Sequence, residues 1–151
     1  MKCFSVLGAV FFLLCAAPSL PAACTTRDVT VSLEFSGTEV NGCYHVTKGG
    51  NITATLCVAN PTACSEAVRV ALYASTTSFD SCAGTGNSKV VFTKDLTLAP
   101  GEQKCVELTV NIPATAPTIT LYYQAKAQTL GKRIPNVTSC SEVECVQILD
   151  P

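Results

Sequence analysis

The sequence predicts an all-β domain in which two antiparallel sheets pack face to face and disulfides staple them together. Three observations carry this reading. Apolar and polar residues alternate with period two through five long stretches, turn-forming residues punctuate those stretches, and eight cysteines follow an N-terminal export signal.

The signal comes first in the chain. Lys2 is a short positive region, Cys3–Ala17 is almost unbroken apolar sequence, and Pro18-Ser19-Leu20-Pro21-Ala22-Ala23 is a helix-breaking run of small residues. Cleavage is expected after Ala22 or Ala23. A membrane-spanning helix needs about 20 apolar residues, and this run stops earlier at two prolines, so residues 1–23 read as a signal peptide and not as an anchor. Residues 24–151 are then a single β-sandwich domain, expected to be secreted and extracellular, or to reside in a lumenal compartment of the secretory or endolysosomal pathway.

The strands follow in order. Val29, Val31, Leu33 and Phe35 alternate with Thr30, Ser32 and Glu34. Ile52, Ala54, Leu56 and Val58 alternate with Thr53, Thr55 and Cys57. Val68, Val70, Leu72 and Ala74 alternate with Arg69, Ala71 and Tyr73. The same pattern runs through Val106–Ile112 and Ile119–Lys126, and weaker strands lie at Lys89–Leu98 and Val143–Leu149, which makes seven. Ser36-Gly37, Asn41-Gly42, Lys48-Gly49-Gly50, Asn60-Pro61, Gly84-Thr85-Gly86-Asn87, Ala99-Pro100-Gly101 and Pro113–Pro117 supply the turns. Short strands at such intervals point to an immunoglobulin-like sandwich, with a small barrel as the competing architecture.

Removing residues 1–23 from 151 leaves 128, enough for one core. The ten Lys and Arg lose Lys2 and become nine against eleven Asp and Glu, a balance near −2. Neither sign is clustered beyond Lys126, Lys132 and Arg133, so nucleic acid is not an expected partner. No later apolar stretch is long enough to cross a bilayer as a helix.

The mature cysteines are Cys24, Cys43, Cys57, Cys64, Cys82, Cys105, Cys140 and Cys145. An even number in an exported chain implies disulfides, and eight allow 105 connectivities. Cys57 and Cys64 bracket a short Asn-Pro turn and are placed to staple a hairpin there. Cys24 with Cys140 would tie the chain's two ends together.

Catalytic chemistry finds little footing. His45 is the single histidine; it has no second ligand pair at zinc spacing and no nucleophile elbow beside it, and it reads as a surface-loop residue. Glu142 and Glu144 alternate along one strand and are expected on one solvated face, not flanking a cleft as a glycosidase requires. A non-enzyme without metal or cofactor is the expectation. Asn51-Ile52-Thr53 and Asn136-Val137-Thr138 are glycosylation sequons, while Pro61 excludes Asn60. The inward residues Phe35, Leu56, Val70, Leu72, Val110, Leu121 and Tyr123 would either fill a packed core or, if the sheets splay, line an apolar pocket for a lipid.

Two resemblances bear on that choice. Gly42-Cys43-Tyr44-His45-Val46-Thr47-Lys48-Gly49-Gly50 leading into Ile52–Val58, then Pro100-Gly101-Glu102-Gln103, Val106–Ile112 and Ile119–Ala127, and finally Cys140 with Val143–Ile148, resemble the ML (MD-2-related lipid-recognition) family. The resemblance implies a sandwich holding a sterol, fatty acid or phospholipid between its sheets, no catalysis, and a Cys24–Cys140 disulfide. Cys57-Val58-Ala59-Asn60-Pro61, Val68–Ala74 and Leu98-Ala99-Pro100-Gly101 are similar instead to extracellular immunoglobulin-like modules of the adhesion or CARDB type. Those imply a packed core and surface loops that bind protein or glycan partners.

Overall fold

The computed structural model describes residues 24–82, 87–132 and 134–151. The predicted export segment and the Gly84-Thr85-Gly86 turn lie outside them. Ten strands and no helix occur among the described residues: β1 (Thr30–Phe35), β2 (Glu39–Val40), β3 (Cys43–Thr47), β4 (Asn51–Ala59), β5 (Glu66–Ser75), β6 (Lys89–Leu98), β7 (Gln103–Asn111), β8 (Ile119–Thr129), β9 (Thr138–Cys140) and β10 (Glu144–Leu149). The five strong alternations appear as β1, β4, β5, β7 and β8, and the two weaker ones as β6 and β10. The reading of seven strands missed β2, β3 and β9, which are two, five and three residues long. A segment that short repeats its period too few times to stand out.

The architecture is a two-sheet sandwich and not a barrel. One sheet has the order β1-β4-β7; the other runs β2-β3-β10-β8-β5-β6, with β9 also on β8. All pairs are antiparallel except β3 with β10, which is parallel. The alternation puts Ile52, Ala54, Leu56 and Val58 of β4 opposite Val68, Val70 and Leu72 of β5, and all seven are buried. Leu56, Leu72 and Leu98 have no exposed surface, each worth about 1.5–3 kcal/mol of transfer free energy. In the β2–β3 hairpin Asn41 (φ 52°) and Gly42 (φ 81°) are both left-handed, the geometry of a two-residue type I′ loop that Asn-Gly favours.

The chain crosses between sheets at Asn60 and again at Ala99–Glu102. The two crossings are tied together. Asn60 Nδ2 donates to the Cys64 carbonyl (2.6 Å) and the Ala99 carbonyl (3.0 Å), its Oδ1 accepts from Thr62 N–H (3.0 Å) and Oγ1 (2.7 Å), and its own N–H donates to the Glu102 carbonyl (2.9 Å).

The four disulfides are Cys24–Cys64, Cys43–Cys145, Cys57–Cys105 and Cys82–Cys140. This corrects both pairings suggested by the sequence. Cys57 does not staple a hairpin with Cys64, because β4 and β5 belong to different sheets and the Asn60 turn is a crossing. Cys57 instead faces Cys105 directly across the β4–β7 ladder. Cys24 does not reach Cys140 either; it closes on the Asn60 crossing, while Cys140 at the end of β9 holds the loop after β5.

Candidate functional site

A concavity lies at the outer edge of β1, where β8 changes partners. Along one side of β8, Ile119–Tyr123 pair with β10 and Lys126–Gln128 pair with β9. Ser141 fills the gap between them. It is buried; its N–H donates to the Ala125 carbonyl (2.9 Å), its Oγ accepts from the Ala125 N–H (2.9 Å), and its carbonyl accepts from Gln124 Nε2 (3.1 Å). This satisfies the backbone at the break and turns Glu142 out of the ladder. Nothing in the sequence singled out Ser141; its signal is only a small polar residue between two cysteine-bearing strands.

The resulting cleft has a volume of about 490 Å³. Val31–Glu34 of β1 form one wall, Cys140–Glu142 and Glu144 the other, with Tyr44 of β3 between them. Among the described residues neither Lys nor Arg lines it. Glu144 is half-buried beside Val146 on the inward face of β10, and burial pushes its carboxyl above the ordinary value, reinforced by the charges of Glu39, Glu142 and Glu34. Tyr44 is likewise pushed up, by burial first and then by Glu144 and Glu39, against a lowering pull from the Phe35 backbone. The arrangement is therefore short of cations. It can attract and hydrogen-bond a positively charged group.

Two expectations are corrected at this cleft. Glu142 and Glu144 do not share a solvated face: Glu142 sits in the break and Glu144 begins β10, and both line the concavity. His45 is not in a loop but on β3, half-buried and paired in register with Gln147 of β10.

The seven residues suggested for a lipid pocket come together, but in contact with one another. Phe35, Leu56, Val70, Leu72 and Tyr123 belong to the buried cluster, and Val110 and Leu121 pack against it. The Phe35 ring lies 5.1 Å from that of Tyr123 and 5.7 Å from that of Tyr44. Of the seven, Leu121 also borders a shallow surface cleft of about 200 Å³ shared with Ala74, Lys89 and Val91. Asn51, the first residue of β4, and Asn136, ahead of β9, are both exposed. Arg27 Nη1 donates to Asn136 Oδ1 (2.9 Å) while its Nε lies 3.7 Å from buried Glu66. A Cβ at Gly131 would meet the Arg27 guanidinium, which would have to shift.

Solved structures resemble this arrangement of sheets. The CARDB domain of a Pyrococcus furiosus protein, crystallised with a pair of metal ions, superimposes with a TM-score of 0.54 at 13% identity, over 82% of this chain and 89% of that one. The solution structure of the same archaeal domain gives 0.51 at 13% identity, over 83% and 97%. The fold is shared with CARDB domains. It is the architecture implied by the second resemblance, to immunoglobulin-like modules of that type. No protein-family model matches the chain, the ML family included, and no curated protein matches it in sequence.

Proposed function

We propose that this protein is a secreted, non-catalytic immunoglobulin-like recognition module that meets a protein or glycan partner at its surface. The observation that carries this reading is the state of the inward side chains. Phe35, Leu56, Val70, Leu72 and Tyr123 lie in one buried cluster, with the Phe35 and Tyr123 rings 5.1 Å apart, while the polar concavity opens outward, and this favours a surface site over an interior one. The covalent framework agrees: four disulfides belong to oxidising compartments. Among the described residues no helix is long and apolar enough to cross a membrane.

The two sequons support the same setting. Asn51 lies in register with Asn111 at one end of the three-stranded sheet, and Asn136 lies at the opposite end, beside the Arg27–Glu66 pair. Arg27 engages the oxygen of Asn136 and not the amide nitrogen to which a glycan is joined. Glycans at both ends would leave the lateral strand edges open to a partner.

Native mass spectrometry of protein purified from its own secretory host tests the reading. The expected mass is that of the processed chain plus glycans; a stoichiometric lipid adduct would overturn it in favour of a carrier.

A further inference from the structure

β1 is the outer strand of the three-stranded sheet, so among the described residues one side of its backbone has no ladder partner. Two observations set which groups those are. Ser36 N–H donates to the Thr53 carbonyl, continuing the β1–β4 ladder. Cys57 and Cys105 form a narrow pair, with Cα atoms 4.0 Å apart, of the kind that does not exchange backbone hydrogen bonds. The Cys57 backbone therefore turns toward β1, where its register partner is Ser32. Bonding to β4 falls to Ser32 and Glu34, and the N–H and C=O groups of Val31 and Leu33 face the open edge.

Val31 and Leu33 also wall the cleft, whose far side is the Ser141 interruption between β9 and β10. A free edge of this sort is a template for another extended chain, and its lining decides which chain fits. Glu34 stands on β1 itself, Glu142 and Glu144 stand across the gap, and Glu39 is close enough to act on Glu144. An acidic segment, or a second copy of this edge, would bring like charges together. A segment with a cation on the cleft side would be matched.

We propose that the β1-edge cleft binds a short extended segment of a partner protein carrying Lys or Arg, paired through the backbone of Val31 and Leu33 and selected by Glu34 and Glu142. This rests on the recognition-module reading and supplies the chemistry of its partner. Backbone pairing provides a sequence-tolerant contact, and the carboxylates provide the discrimination.

The test uses the full disulfide-bonded chain at physiological salt, titrated with a short peptide alternating lysine with threonine and with a matching peptide of glutamate and threonine. Calorimetry should detect binding of the lysine peptide only, and the Val31 and Leu33 amides should shift and exchange more slowly. Glu34→Gln with Glu142→Gln, both at exposed positions, should weaken binding about tenfold or more. Val31→Pro removes one edge donor without touching the β1–β4 ladder and should weaken binding with every carboxylate in place. No binding of the lysine peptide, binding that survives the double glutamine variant, or amide shifts confined to other strands would each overturn the site. The broader reading fails separately. Labelled protein that coats host cell surfaces equally well with the double variant removes this cleft but keeps a recognition module, whereas a stoichiometric bound lipid removes the module.

Discussion

Asn60 is 1% exposed, and both polar atoms of its side chain are engaged at once. Asn60→Asp keeps the size and the acceptor but deletes the Nδ2 donor, so the Cys64 and Ala99 carbonyls each lose one hydrogen bond, keeping those from Thr62 Oγ1 and the Glu102 N–H, and face a buried carboxylate. Each such loss costs about 1–3 kcal/mol, so the urea midpoint should fall by an amount worth at least about 2 kcal/mol with the slope unchanged. A smaller drop would mean that the crossing is held chiefly by its disulfide. Tyr123 presents the opposite case. It is 5% exposed, burial raises its phenol pKa, and among the described residues no hydrogen bond reaches its hydroxyl. Tyr123→Phe should therefore leave stability unchanged or raise it by up to about 1 kcal/mol; a clear loss in a thermal melt would reveal a hidden partner for the hydroxyl. In the sequence Asn60 was legible as a turn residue excluded from glycosylation by Pro61. Its tie to Ala99 was not, because that partner lies 39 positions away and only the fold brings the two crossings together.

Strands were readable wherever an inward stripe repeated several times, as in β4 and β5, and unreadable where the chain touches the sheet briefly. Tyr44 and Val46 of β3 do alternate with His45 and Thr47, but two inward residues are too few to separate a strand from a loop. The same brevity hid the cleft. Period two carried through Glu142 and Glu144 predicts one face, whereas Ser141 breaks the ladder just before them, so the alternation restarts only at β10. Glu144 thereby becomes a strand-end carboxylate with a measurable signature. Its pKa in the folded chain is raised, so folding favours its protonated form, and its ionisation opposes folding above the folded pKa. That penalty disappears as pH falls through the folded pKa toward the ordinary carboxylate value of about 4.3. Glu144→Gln should consequently stabilise the protein at neutral pH, with the difference from wild type vanishing below about pH 4. Asp95, held low by its Arg69 hydrogen bonds, Glu102 by the Ala99 N–H, and Asp150 by Lys48 and Thr118 all act with the reverse sign. Their contributions fade as pH falls, so only the paired difference between the two proteins isolates Glu144. A difference that grows in acid would exclude a raised Glu144 pKa.

At the scale of the whole molecule, the sandwich was legible because opposed apolar stripes on successive strands bury themselves best against each other. The disulfide map was not, since pairing depends on which outward positions the two sheets bring within reach. Cys57 and Cys105 both point away from the core on neighbouring strands, and Cys43 and Cys145 do so on the parallel pair β3 and β10. These two bonds offer a comparison that separates chain entropy from local packing. They close segments of 48 and 102 residues, for which loop-closure entropy predicts about 4 and about 4.7 kcal/mol of stabilisation respectively. Packing acts in the same direction, because Cys145 is buried and Cys105 is exposed, so replacing the former with alanine also leaves a void. The paired variant Cys43→Ala/Cys145→Ala should thus lose more stability than Cys57→Ala/Cys105→Ala, with chemical denaturation of the two as the measurement. Equal losses would mean that the unfolded chain is already compact enough to make segment length irrelevant. The reverse order would assign the larger role to clamping β4 against β7, the central and edge strands of the smaller sheet, which has only one other strand to hold it in register.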